Sequence, residues 1–237
     1  MPTRSLNRPA VTGRLAAADL TGLALIHRVR RRRLTLIPPE VLGELRDRMR
    51  AVESARVPGS VIEAGCALGG SAIVLAATKR RDRPMAVHDV FGLIPPPTDA
   101  DGEDVQRRYE RITAGDATGL GGDVYYGYQE NLRDRVAQNF RDCGVDPEKR
   151  NVTLVEGLFQ DTVRPTGPVA LAHVDGDWYE SVKVCLDRVW PQVSDGGAVV
   201  VDDYFRWSGC RKAVDEFLSG RSDVRVEMLR RPHLIKV

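Results

Sequence analysis

Ser60-Val61-Ile62-Glu63-Ala64-Gly65-Cys66-Ala67-Leu68-Gly69-Gly70-Ser71 is the stretch whose reading decides the fold. Ser60 to Glu63 has the β-branched, half-apolar character of a short strand, and Ser71 to Lys79 continues as a helix. Between them the glycines permit a tight turn and close approach of a ligand to the backbone. The turn is not the G-x-G-x-x-G dinucleotide fingerprint, because Ala67 holds the second glycine position, and no Gly-Lys-Ser/Thr follows to make a P-loop.

Outward from this unit the pattern repeats. Met85 to His88, Asn151 to Val155, Pro168 to Val174 and Gly197 to Val201 read as further strands, each leading toward a helix or loop. Strands alternating with helices predict an α/β domain, a parallel sheet covered on both faces. Val224 to Leu229 and His233 to Val237 predict an antiparallel closing pair. Asn131 to Cys143 reads as a crossover helix, which leaves residues 95–130, rich in Pro, Gly and Asp, as an insertion at the ligand-facing edge: a lid or substrate loop.

Upstream, Val57-Pro58-Gly59 separates a helical extension, residues 1–56, from the main domain, residues 57–237. Arg14 to Arg33 reads as an amphipathic helix with Leu15, Leu20, Leu23, Ile26 and Val29 on one stripe, suited to packing on the domain or on a second subunit. Pro39 to Glu53 is a second helix starting at a favourable proline. Arg4, Arg8, Arg14, Arg28 and the run Arg30 to Arg33 face a single acid, Asp19.

Composition narrows the class. A chain of 237 residues with 42% hydrophobic and 29% charged residues is ordinary for a globular protein, and at this size folding buries about 70% of the extended surface. The 35 basic and 33 acidic residues leave a net charge of +2, so nothing general argues for nucleic-acid binding. Cys66, Cys143, Cys185 and Cys210 form no C-x-x-C pair, which argues against a zinc ribbon or disulfide scaffold and for a reducing cytoplasm. Leu15 to Ile26 is interrupted by Asp19 and lacks a cleavage site, and no other stretch is long and apolar enough to span a bilayer, so no membrane partner is expected.

In an open parallel sheet, ligands bind beyond the carboxyl ends of the strands. Asp89 follows Glu63 by 26 residues, the spacing at which an acid takes ribose hydroxyls, so the turn and Asp89 together describe an adenosine-ribose site. Asp175 and Asp177 follow the fourth strand, and Asp202 and Asp203 the fifth. Four carboxylates at adjacent strand ends repel one another unless a cation lies among them. With oxygen ligands alone, that cation is hard: magnesium, manganese or calcium.

At this point the sequence resembles a known family. Val61-Ile62-Glu63-Ala64-Gly65, Asp89-Val90-Phe91-Gly92-Leu93, Glu156-Gly157-Leu158-Phe159-Gln160-Asp161-Thr162, Val174-Asp175-Gly176-Asp177-Trp178-Tyr179-Glu180-Ser181 and Val201-Asp202-Asp203-Tyr204 look like the successive motifs of the macrocin and novobiocin-type O-methyltransferases. Trp207 to Phe217 resembles the family's next segment. The resemblance implies a Rossmann-like class I methyltransferase fold with a mostly parallel seven-stranded sheet. It also implies S-adenosylmethionine as cofactor, a requirement for Mg²⁺ and methylation of a sugar hydroxyl in a natural product, the acceptor presenting vicinal hydroxyls.

By position, the resemblance makes Asp175, Asp202 and Asp203 the metal ligands and Asp177 the general base. Glu63, Gly65, Ser71, Asp89, Gly157, Phe159, Asp161 and Asp175 would line the cofactor site. Two alternatives stand beside it. A catechol-like phenol chelates magnesium as a sugar diol does, although enzymes of that class carry a lysine where this chain has Trp178. A non-catalytic binding module of the same fold is the other. The apolar stripe on the first helix adds the expectation of a homo-oligomer joined through the N-terminal helices.

Overall fold

The computed structural model describes residues 17–237, with side chains from Leu20 onward. Its strands are β1 (Ser60–Ala64), β2 (Met85–Asp89), β3 (Val152–Glu156), β4 (Val169–Val174), β5 (Val193–Val201), β6 (Val224–Met228) and β7 (Pro232–Lys236). They form one sheet in the order β3-β2-β1-β4-β5-β7-β6. The first five run parallel, and β7 pairs antiparallel to both β5 and β6. The chain order reverses between β1 and β4, the crevice position at which doubly wound sheets bind ligands.

Helices α1 (Ala17–Arg31), α2 (Pro39–Ser54), α3 (Gly70–Thr78), α4 (Glu103–Thr113), α5 (Leu132–Asp142), α6 (Phe159–Thr162), α7 (Tyr179–Val189) and α8 (Ser208–Leu218) complete the fold. Strand alternation distributes the core between two faces. Val61, Met85, Val87, Leu171 and Val200 pack against α1, α2, α3 and α5, whereas Ile62, Ala64, Ala172, Val174, Val199 and Val201 pack against α7 and α8. The α1–α2 segment expected as an extension contributes Ile26, Val29, Leu42, Leu45 and Met49 to the same core as β1, β2 and α3.

One expectation for this region changes. The stripe on α1 divides: Ile26 and Val29 are buried, while Leu20 and Leu23 stay 57% and 44% exposed, and Leu15 lies outside the described residues. The arginine run is tied down within the chain. Arg28 donates to the Cys143 carbonyl at 3.1 Å, Arg30 to the Thr35 and Ile37 carbonyls at 2.7 and 3.1 Å, and Arg32 and Arg33 pair with Asp142 and Asp123.

Strand β5 begins four residues earlier than its apolar run, at Val193, because the turn-like Ser194 to Gly197 is absorbed as an irregularity in the register with β4. The insertion at 95–130 is not a structureless loop. It contains α4, whose Val105 and Ile112 are buried at helical spacing, and a cluster of Ile112, Ala117 and Tyr125.

Candidate active site

The carboxyl edge of the sheet forms the floor of a cavity of about 620 Å³. Asp175 and Asp177 come from the end of β4, Asp202 and Asp203 from the end of β5, and Cys66 to Leu68 from the turn after β1. The roof is the α1–α2 linker together with residues 108–129. A second, narrower groove adjoins it, with Gly65, Asp89, Val90, Phe159 and Gln160 in its walls. Asp175, Asp177 and Tyr126 border both spaces.

Asp175, Asp202 and Asp203 each offer an oxygen within 4.8 Å of the others. Burial pushes the Asp175 carboxyl well above its ordinary range, and the charges of Asp202 and Asp203 add to it. Burial, then Asp202, raises Asp203 to about 6. An all-oxygen donor set carrying this much mutual repulsion fits a hard divalent cation.

One counter-charge is built in. Arg231 donates to both oxygens of Asp202, at 3.0 and 3.4 Å. The register explains the meeting: Val200 pairs with His233 across the antiparallel β5–β7 ladder, so two residues further Asp202 lies opposite Arg231. The Arg230-Arg231 pair ahead of the last strand was the signal in the sequence, and the antiparallel closing pair gave it a position.

Asp177 sits in the left-handed region at φ 55°, an uncommon conformation for a non-glycine residue and one that concentrates at functional sites. Its amide donates to Asp203 Oδ2 at 3.2 Å, and its Oδ1 accepts from Trp207 Nε1 at 2.8 Å. Burial and the Asp203 charge raise its carboxyl well above the usual range, against the Trp207 hydrogen bond and the charges of Arg206 and Arg108. Arg206 and Trp207 lie in the turn between β5 and α8 and Arg108 on α4 of the insertion; the sequence reading gave none of them a site role, because their approach to Asp177 is set by tertiary packing.

The residues expected at the cofactor separate into two layers. Gly65, Asp89, Phe159 and Asp175 line the narrow groove. Gly65 is required there: a Cβ would lie 1.9 Å from the Asp175 carbonyl oxygen. Glu63 and Ser71 do not reach the groove. Strand alternation turns the Glu63 side chain to the face covered by α1–α3, where it is 0% exposed. It accepts from the Ser71 hydroxyl and meets His173 Nδ1 at 3.1 Å.

Burial lowers the pKa of His173, but the Glu63 charge and hydrogen bond, with Asp202 and Asp203, leave it raised. Gly157 makes the turn into α6 and donates to the Asp89 carbonyl at 3.0 Å, and Asp161 is exposed on α6.

Asp89 has more than one task. Its Oδ2 accepts from the amides of Cys66 and Ala67, at 2.8 and 3.2 Å, and its Oδ1 from Phe91 at 2.8 Å. It therefore clamps the glycine turn from the neighbouring strand end.

An α/β sheet of this order, with a glycine turn after β1 and a carboxylate cluster where β4 and β5 end, defines the class I, S-adenosylmethionine-dependent methyltransferase fold. The family follows from comparison: residues 30–228 match the profile of Macrocin-O-methyltransferase (TylF), and the chain belongs to that family of O-methyltransferases. It is 31% identical over 82% of its length to demethyldecarbamoylnovobiocin O-methyltransferase of Streptomyces niveus, covering 71% of that protein. It is 32% identical over 79% of its length to mycinamicin III 3''-O-methyltransferase of Micromonospora griseorubida, covering 73% of that chain.

Among solved structures, the O-methyltransferase NovP superposes with a TM-score of 0.70 at 28% identity, over 86% of this chain and 81% of NovP. The calicheamicin methyltransferase CalS11 shares the fold at a TM-score of 0.62 and 18% identity, over 99% of both chains. Among the described residues no helix is long and apolar enough to cross a membrane.

Proposed function

We propose that the chain transfers the methyl group of S-adenosylmethionine to a hydroxyl of a sugar moiety in a natural product or glycoside, with Mg²⁺ held by Asp175, Asp202 and Asp203. The observation that carries this reading is that Asp175 and Asp177 border both the narrow groove and the large cavity. A methyl donor in one and an acceptor in the other would meet at these two carboxylates. The relatives point the same way, since the novobiocin, mycinamicin and rhamnosyl-tetracenomycin enzymes are named as O-methyltransferases.

When bound, S-adenosylmethionine supplies the electrophilic methyl group and Mg²⁺ a Lewis acid. The protein's own contribution is position and charge. Gly65, Asp89 and Phe159 shape the groove for the nucleoside. Asp175, Asp202 and Asp203 would hold the cation, which would supply positive charge beside the acceptor hydroxyl. Asp177, fixed by Trp207 and the Asp203 contact, takes the hydroxyl proton. The roof excludes water from the charges that change during transfer.

Methyl transfer from S-adenosylmethionine to a panel of glycosides, run with and without a chelator, tests the reading. Chelation should abolish turnover and Mg²⁺ restore it; full activity after rigorous chelation would remove the metal from the reaction. The four free, buried thiols support a cytoplasmic setting. The exposed Leu20 and Leu23 support an assembly through α1. Deletion of residues 1–25, which keeps the buried Ile26 and Val29, should then lower the mass seen by light scattering.

A further inference from the structure

The large cavity carries more positive charge than its carboxylates answer. Six arginines line it: Arg32, Arg33, Arg108, Arg135, Arg206 and Arg231. Three have acid partners, Asp142, Asp123 and Asp202 respectively for Arg32, Arg33 and Arg231. The other three have none among the described residues. Arg108 lies 5.5 Å over the Tyr125 ring and Arg206 5.1 Å over the Trp207 ring, so each is held by an aromatic face with its donors unclaimed.

Arg135 projects from α5, an element that supplies no floor carboxylate. Once a divalent cation sits among Asp175, Asp202 and Asp203, the floor is largely neutralised and these guanidinium groups are left facing the acceptor space. The volume, about 620 Å³, suits a ligand larger than one hexose, because drug-sized molecules occupy about 300–1,000 Å³.

We propose that the acceptor arrives as an anion: a sugar whose anomeric oxygen carries a phosphate or diphosphate, received by Arg108, Arg135 and Arg206. This rests on the O-methyltransferase reading above and adds the class of acceptor. Guanidinium groups match phosphoryl oxygens in geometry, each offering paired donors, and each such bond is charge-assisted. A neutral glycoside would leave the half-buried Arg108 and the exposed Arg135 and Arg206 without an anionic partner. The competing account makes Arg108 and Arg206 counter-ions of Asp177 alone. It predicts that their removal shifts the pH profile of catalysis without touching phosphate binding, and it leaves Arg135 without a task.

The test is calorimetry on the full-length protein with S-adenosylhomocysteine and Mg²⁺ already bound. Four probes are compared: inorganic phosphate, glucose 1-phosphate, uridine diphosphate glucose and the neutral p-nitrophenyl glucoside. At least one phosphorylated sugar should bind about tenfold or more tightly than the neutral glycoside, and a rise in salt should weaken it. Arg108→Gln combined with Arg206→Gln should remove that advantage. Arg107→Gln, which loses only an exposed pair with Glu103 on the same helix, should retain it.

Equal binding of the two phosphorylated sugars identifies the single phosphoryl group as the recognised element. Tighter binding of the nucleotide sugar identifies the diphosphate and nucleoside. No preference for phosphorylated over neutral sugar, or a preference unchanged in the double variant, overturns the proposal. Because S-adenosylhomocysteine binding is measured first in the same cell, failure of the methyltransferase reading shows there, separately from failure at the acceptor.

Discussion

The floor and the roof of the active-site cavity are built by different means. The floor is the continuation of four parallel strands whose side chains are buried on both faces and whose spacing is set by the ladder. In the roof, the α1–α2 linker is anchored in the core by Leu34 and Ile37, whereas the insertion is pinned just ahead of its roof residues, through residues 95–104, to the ends of two helices. Pro95 accepts from Trp178 Nε1 at 2.9 Å, Asp101 from the Tyr179 amide at 2.8 Å, and Asp104 from the Ser208 amide at 2.9 Å.

Both helices lack an N-cap of their own, because Trp178 and Trp207 stand in the capping positions. The insertion lends them carboxylates instead. A floor fixed by ladder and core opens only when the domain unfolds. The insertion's part of the roof can lift at the cost of these polar contacts, while the linker stays with the core.

The sharpest break in this comparison comes from the floor. Asp177→Asn keeps size and the Trp207 contact but removes the proton acceptor, so the transfer rate should fall by roughly 10²- to 10⁴-fold, while calorimetry shows affinities for S-adenosylhomocysteine and Mg²⁺ nearly unchanged. Asp175→Asn should weaken metal binding and rate together. If Asp177→Asn lost magnesium and kept its rate at saturating metal, the two roles would have to be exchanged.

The same division explains what the sequence made legible. Strand ends are local signals: an apolar run followed by Asp fixes both the element and the direction of its carboxylate, so Asp175, Asp177, Asp202 and Asp203 could be grouped before any coordinates. Alternation within a strand was the part that misled at Glu63, whose motif position suggested the cofactor and whose strand parity faces it toward α3. The roof was not legible. The meeting of Asp101 with Tyr179 spans 78 residues and that of Asp104 with Ser208 spans 104, and no periodicity within the insertion encodes either one. The close approach is permitted by Gly209, where a Cβ would stand 1.9 Å from Asp101 Oδ1, a constraint visible only in three dimensions.

Acid acts on the sheet through its buried histidines. Burial lowers His88 on β2 to about 4, and burial with the Arg48 charge lowers His233 on β7 to about 4, from an ordinary 6.5. At these two histidines the native state binds fewer protons than the unfolded chain, so the stability they contribute is present above about 6.5 and is lost as pH falls from there through about 4. Each histidine can contribute up to about 3 kcal/mol to that loss, and in the metal-free protein the raised His173, Asp175, Asp177 and Asp203 oppose it.

Arg48 Nε donates to His233 Nδ1 at 3.0 Å, a bond that protonation forbids. The roof pin Asp104 is held below its usual range by the Ser208 bonds despite burial, so it stays ionised throughout. Urea unfolding of the parent and of His233→Gln, which retains an acceptor, isolates the histidine: between pH 7 and pH 5 the variant should lose less stability, or gain more, than the parent. The same pH dependence in parent and variant would count against a neutral His233 in the native state.

The roof responds to Asp101→Ala. Removing a borrowed N-cap should cost about 1 kcal/mol of stability. Because α7 begins directly after Asp177 and Trp178, it should also lower kcat/KM by about tenfold, as catalytic groups shift slightly. Asp101→Asn should recover much of both, since an amide oxygen still accepts from Tyr179. An equal loss in the alanine and asparagine variants would show that charge, and not the cap, is what the helix needs.

The smallest effect separates the two cations that share Asp202. Arg231 holds both oxygens of this carboxylate while Mg²⁺ is proposed to use one of them, so the guanidinium competes with the metal. Arg231→Met keeps much of the aliphatic stem and removes the charge. The metal-free protein should melt earlier, because Asp202 is left buried without its partner. The affinity for Mg²⁺ should nonetheless rise by about three- to tenfold, a gain of about 1 kcal/mol, and the stabilisation on adding the metal should be larger than in the parent. A fall in Mg²⁺ affinity would mean that Arg231 aims the Asp202 carboxylate at the ion. It would then belong to the metal site, and the hairpin end that carries it would count as part of the floor.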